Sequence, residues 1–171
     1  MEPLRENTDI VLCLTTSGIP GLNFPLEKRM IPLQFKPELE IFDYGMITTC
    51  LRMRDQGQLD DPLQFQFVLG APWGAPATPR PLGHMVDSIP GDATWSIIGI
   101  GRSHLPMSMY ALVMGGHIRV GMEDNIYYTR GELVKKNSQF VERVARIAEE
   151  YGRDIATPSE TREILCLPES K

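Results

Sequence analysis

Three short stretches of this 171-residue chain place acids, amides and a guanidinium where a buried strand would carry apolar residues. Side chains on a β-strand alternate between faces. In Glu38-Leu-Glu-Ile-Phe42, Glu38 and Glu40 therefore oppose Leu39 and Ile41. In Gln64-Phe-Gln-Phe67, Gln64 and Gln66 oppose Phe65 and Phe67, and in His117-Ile-Arg-Val-Gly121, His117 and Arg119 oppose Ile118 and Val120. Continuing that alternation carries Glu123 to the side of Arg119. One such strand reads as the solvated face of a sheet. Three together point to a shared polar face within a curled sheet, because charges buried without partners are costly. Such groups bind one another, a ligand or a metal.

Other candidates are less specific. Thr15-Thr-Ser-Gly18, at the end of the first apolar run, offers hydroxyls and backbone N–H groups to an anion, or forms an ordinary strand-to-loop turn. Gly99-Ile-Gly-Arg-Ser-His104 lies between a strand and a helix but lacks the third glycine and the following acid of a dinucleotide loop. Its Arg102 could still hold a phosphate or carboxylate at the helix entrance. The cysteines Cys13, Cys50 and Cys166 and the histidines His84, His104 and His117 show no metal-ligand spacing.

The elements that must position these residues alternate in type. Runs rich in β-branched and aromatic residues predict strands near Ile10–Thr16, Leu39–Asp43, Gln64–Gly70, Thr94–Gly99 and His117–Gly121. Between several of them, helical periodicity predicts helices over Gly45–Gln56, Thr78–Ile89 and Leu105–Met114. A longer helix is expected over Gly131–Tyr151, with Phe140, Val141, Val144, Ala145, Ile147, Ala148 and Tyr151 as its apolar stripe and Gly152 as its stop. Thr157-Pro-Ser-Glu160 has the pattern of a capping box opening a last short helix. Strand–helix repetition implies an α/β fold, a parallel sheet covered by helices.

The formal net charge of −5 argues against a general nucleic-acid binder, which needs basic phosphate contacts. No apolar run reaches the roughly 20 residues of a membrane helix, and the first residues lack the build of a signal peptide. The expectation is a cytoplasmic protein with neither nucleic acid nor membrane as partner.

Gly115-Gly-His-Ile-Arg-Val-Gly-Met-Glu-Asp-Asn125, followed by Tyr127-Tyr-Thr-Arg-Gly131, resembles the C-terminal signature of the β-keto acid cleavage enzyme family of the 3-keto-5-aminohexanoate cleavage type. Lys36–Asp43, Phe65–Gly70, Trp95–Arg102 and Ala156–Glu160 match further segments in the same order. The resemblance implies a (β/α)₈ TIM barrel. It also implies an acyltransferase of amino-acid catabolism: zinc-dependent condensation of a small β-keto acid with acetyl-CoA, then cleavage to acetoacetate and a new acyl-CoA. On that likeness Glu123 would be the carboxylate ligand of the zinc, and Arg119 and Asp124 the adjacent catalytic pair. Either Glu38 or Glu40 would be the family's inward acid, while Thr15 and Gly18 resemble substrate-binding positions.

The chain departs from the family in extent. It supplies about five of the eight units, read as one partial barrel domain. Residues 1–35 resemble the third unit and residues 36–171 the fifth to eighth. The family's second strand carries two zinc-ligand histidines as H-x-H, and no such pair occurs here. One carboxylate is a poor zinc site on its own. The expectation is therefore half a site in a truncated member, completed in a homo-oligomer or by a complementing subunit. The alternative is a catalytically inactive remnant or interaction module.

Overall fold

The protein was analysed as a computed structural model that describes residues 12–15 and 36–167. Five strands form one sheet: β1 (Leu12–Thr15), β2 (Pro37–Ile41), β3 (Gln64–Leu69), β4 (Thr94–Gly99) and β5 (His117–Ile118). They lie side by side in chain order, and every neighbouring pair is parallel. Parallel neighbours need a crossover. Helices α1 (Tyr44–Asp55), α2 (Pro79–Val86) and α3 (His104–Met114) supply those after β2, β3 and β4. Because the strand order never reverses, crossovers of one hand put the helices on one face. The sheet then curls with its other face inward, as the arc of a (β/α) barrel. The strands agree with those expected, although β5 is shorter. Its ladder ends after Arg119 N–H, which donates to Ile97 O at 3.1 Å, and a turn then begins at Gly121.

Burial follows the two-residue period. Leu39, Ile41, Phe65, Phe67, Trp95 and Ile97 point into the helical layer and meet Met46, Ile47 and Cys50 of α1, Leu82 and Met85 of α2, and Met107 and Ala111 of α3. Phe67 lies 5.8 Å from Trp95 between ring centroids, and both are buried. Burying a large apolar side chain contributes roughly 1.5–3 kcal/mol, so this outer layer carries the fold. The inner face is polar yet buried, with Gln64, Gln66 and Ser96 almost out of solvent.

The region after β5 differs from expectation. A helix from Gly131 is replaced by an antiparallel hairpin, β6 (Tyr127–Thr129) with β7 (Glu132–Leu133), and α4 starts only at Asn137 and runs to Tyr151. Gln139 sets that start, because its Oε1 accepts the Lys135 and Lys136 N–H groups at 2.6 and 3.2 Å and so caps the helix. Strands of two or three residues are too short to declare a period, so the hairpin has no signal in the sequence pattern. The stripe of α4 is also narrower than expected: Phe140 and Ala148 are buried, while Val141 and Tyr151 are exposed. The expected short helix α5 (Pro158–Ile164) forms with its capping box, Thr157 N–H donating to Glu160 Oε2 at 2.8 Å and Glu160 N–H to Thr157 Oγ1 at 3.3 Å.

Gly116, just before β5, sits against the Trp95 indole, and a Cβ there would overlap the ring. Overpacking a buried site costs about 1–3 kcal/mol. Gly116→Ala should therefore lower unfolding stability by about that amount, measured by urea titration with Trp fluorescence and circular dichroism.

Candidate active site

The inner face is built in layers set by the strand register. Glu38 pairs with Gln64 and Gln64 with Thr94; one step nearer the carboxyl ends, Glu40 pairs with Gln66, Gln66 with Ser96, and Ser96 with His117. Glu38 can only accept hydrogen bonds, which orients the amides around it. Gln64 Nε2 donates to Glu38 Oε1 at 3.5 Å. With its nitrogen turned the same way, Gln66 donates to Glu38 Oε1 at 3.2 Å and to Ser96 Oγ at 2.7 Å, and its oxygen accepts the Ile98 N–H at 3.3 Å. A connected polar network thus meets the half-buried Glu38 carboxylate, while Gln64 Oε1 is buried without a hydrogen-bond partner among the described residues. Ser96 was not among the expected polar residues, although its alternation with Trp95 and Ile97 puts it on this face.

The upper layer holds the charges. Arg119 Nη1 donates to Glu40 Oε1 at 3.3 Å, and Nη2 lies 3.7 Å from Glu123 Oε1. The first contact reports the curl directly. β2 and β5 are three strand positions apart, about 14 Å in a flat sheet, and only an inward-folded sheet lets these side chains meet. Glu123 reaches Arg119 by a route other than the expected strand alternation. The chain turns after Gly121, whose carbonyl accepts the N–H groups of Asp124 and Asn125 at 3.2 and 3.3 Å. That turn folds Glu123 back at i,i+4. The Glu123 carboxylate lies against Gly121, in the space a Cβ would occupy.

Asp124 completes the cluster from the same turn. Its carbonyl accepts the Gly101 N–H at 2.8 Å, tying it to the turn after β4. Its Oδ2 is buried and has no hydrogen-bond partner among the described residues. Burial, then the neighbouring Glu123 charge, pushes the Asp124 carboxyl above its ordinary value; Arg119 pulls the other way and Glu40 adds to the rise. The site therefore contains an acid that holds its proton more readily than a free aspartate, next to a guanidinium shared by two carboxylates.

The structure separates the two expected inward acids: Glu40 joins the charged cluster, and Glu38 sits one layer deeper in the amide network. Thr15 ends β1, its backbone paired with Glu40, and Gly18 lies outside the described residues. His104 stays apart from the cluster, buried and 4.6 Å from the Phe140 ring; burial first, and the Arg143 charge second, lower its pKa and keep the ring neutral. A cavity of about 520 Å³ opens on the inner face, with Glu38, Gln66, Ser96, His117 and Arg119 on one wall and Val141, Val144 and Ile164 of α4 and α5 on the other.

A divalent metal needs a converging donor set, and among the described residues no group of three His, Cys, Asp or Glu side chains could hold one. Glu40, Glu123 and Asp124 surround a guanidinium rather than an empty centre, and no imidazole joins them. The described residues therefore do not compose a zinc site.

The carboxylate and guanidinium cluster lies at the carboxyl ends of curled parallel strands, where α/β barrel folds place their ligand sites. The same fold occurs in a solved structure described as the binary complex of ObcA with oxaloacetate, with TM-score 0.69 and 18% identity over 93% of this chain and 46% of that one. The chain belongs to the β-keto acid cleavage enzyme family, whose sequence model matches residues 24–167. It is 49% identical over 140 residues to a 3-keto-5-aminohexanoate cleavage enzyme of Fusobacterium nucleatum, covering 82% of this chain and 51% of that protein. It is 44% identical to the enzyme of the same name from Acetoanaerobium sticklandii, covering 84% and 52%. A 3-oxoadipate:acetyl-CoA acetyltransferase of Cupriavidus necator is 38% identical, covering 87% and 54%. The chain thus spans about half the length of these curated relatives. No helix among the described residues is long and apolar enough to cross a membrane.

Because the fold favours protonated Asp124, its contribution to stability is fully present below the ordinary aspartate range and is lost as pH rises through the raised value. Asp124→Asn removes that loss. The variant should melt higher than the parent near neutral pH, and the gap should shrink as the pH falls toward the ordinary aspartate range. Thermal melts across that range check this, and a gap that stays constant with pH would contradict the assignment.

Proposed function

We propose that this protein carries the charged half of a β-keto acid cleavage site, in which a small β-keto acid and acetyl-CoA exchange acyl partners to give acetoacetate and a new acyl-CoA. The observation that supports it best is Arg119 held between Glu40 and Glu123 beside Asp124, whose Oδ2 is buried without a hydrogen-bond partner among the described residues. Family membership supplies the reaction class, and the acetyl-CoA-dependent relative supplies the co-substrate.

The residues fit the proton and charge movements of that reaction. Forming a carbon–carbon bond next to a carbonyl requires removal of a proton from the carbon and leaves negative charge on the oxygen. Arg119 is pre-oriented by Glu40 and by Glu123, so it can accept that charge without reorganising. Asp124, with its carboxyl raised towards the working pH, is suited to take up a proton and return it. Glu40 holds the guanidinium in place, and Glu38, satisfied by Gln64 and Gln66, acts as a support one layer below. Thr15 and Gly18 are assigned to substrate binding on the family resemblance.

The same resemblance assigns Glu123 as the carboxylate donor to a zinc ion. The described residues give that ion no complete site, so no step is routed through it. The proposal is that the remaining donors come from outside these residues, from a further copy of the chain or a complementing polypeptide. The alternative of an inactive remnant has no observation of its own in its favour.

Two measurements on the purified protein test this together: zinc content, and acetyl-CoA-dependent acetoacetate formation from a panel of β-keto acids, with and without polypeptides carrying an H-x-H strand. Glu123→Gln should lower zinc occupancy and abolish turnover wherever the parent shows them. Retention of both would remove Glu123 from the donor set. No acetoacetate with any complementing polypeptide would favour the remnant.

A further inference from the structure

A second cavity, of about 960 Å³, lies between the turn after β4 and the β6–β7 hairpin, with Asn125 on its wall. Arg102, Arg130 and Arg143 line it together with Tyr127 and Tyr128, and no carboxylate does. In a protein of net charge −5 this concentration of guanidinium groups is out of keeping with the rest of the surface. Arg102 and Arg130 are exposed, and among the described residues none of the three arginines forms an ion pair. Arg143 is fixed in position: Nη1 donates to Tyr128 O at 2.6 Å, and the guanidinium lies 3.7 Å from the centroid of the Tyr128 ring. Among the described residues, Glu132, whose Oε2 accepts from the lining Thr129 Oγ1 at 3.1 Å, is the one carboxylate bonded to this lining, so three guanidinium groups leave a positive surplus that an anion would neutralise. Arginine's planar fork matches phosphate oxygens.

We propose that this cavity binds the phosphorylated nucleotide end of an acyl-CoA, with Arg102 and Arg130 on its phosphates and the Tyr127 ring under its base. The inference rests on the acetyl-CoA reading above and gives that co-substrate a place. The volume is at the upper end of the roughly 300–1,000 Å³ usual for small-molecule sites, far more than inorganic phosphate needs. Tyr127 is half-exposed, and its ring offers a face on which a purine can stack. The position also fits. Asn125, on the cavity wall, directly follows Asp124, and Gly101, which also lines the cavity, donates its N–H to Asp124 O at 2.8 Å. A thioester on a flexible arm leaving the cavity past this pair therefore emerges beside the charged cluster.

The test is calorimetric titration of the purified protein with 3′-phosphoadenosine 5′-diphosphate, ADP and inorganic pyrophosphate. The 3′-phosphorylated nucleotide should bind best. Arg102→Ala and Arg130→Ala should each weaken it about tenfold, the loss of one charge-assisted contact. Tyr127→Ala should weaken both nucleotides and leave pyrophosphate unchanged. All three side chains are exposed, so circular dichroism should show the parent fold. The proposal is overturned if the folded parent does not bind the nucleotide, if pyrophosphate binds as tightly, or if both arginine variants bind like the parent. The cavity and the reaction fail separately. Acetoacetate formation with an unaltered KM for acetyl-CoA in both arginine variants would overturn the cavity and leave the reaction standing. Nucleotide binding that the variants lose, from a parent that forms no acetoacetate under any complementation, would support the cavity and remove the reaction.

Discussion

One guanidinium ties the inner face together. Arg119, from the end of β5, contacts Glu40 on β2 and Glu123 in the following turn. The contact with Glu40, across β3 and β4, exists because the sheet curls. The curl follows from an unbroken parallel order, which sends the helices and the aromatic residues to one face and leaves the polar residues facing each other. The charges are therefore paired because of the topology. If the strand order reversed at any point, helices would cover both faces and the polar rows would have no common space.

The inner face shows two ways of accommodating buried polarity. In the deeper layer, the Glu38 carboxylate orients the amides of Gln64 and Gln66 around it, so its charge is met by hydrogen-bond donors. In the upper layer, two carboxylates share one arginine beside Asp124, whose carboxyl is raised above its ordinary value first by burial and then by the Glu123 charge. A network of the first kind supports structure. An imbalance of the second kind can move a proton, which is why the chemistry is assigned to the mouth and not to the floor of the arc.

The sheet and its polar rows were readable from the residues because a strand's period of two is short and rigid. Glu38/Glu40, Gln64/Gln66 and His117/Arg119 fell on the face that alternation assigned them. Ser96 obeys the same rule, although a small uncharged side chain does not stand out in the sequence. The same rule gave the right neighbour for Glu123 by the wrong path, since a turn at Gly121, and not an extended strand, brings it to Arg119. The choice between Glu38 and Glu40 was open in the sequence, where both have the same parity. Their separation into floor and mouth depends on how far along β2 Arg119 can reach.

Local pattern was enough for the outer layer, the α5 capping box and the stop at Gly152, since each depends on contacts within a few residues or on a regular apolar period. The hairpin after β5 and the arginine-lined cavity beside it were not readable. Arg102, Arg130 and Arg143 come from three separate segments and share no period, and short strands such as β6 and β7 exist through the packing around them. Residues brought together across loops have no signature in spacing, because what joins them is the path of the chain between elements.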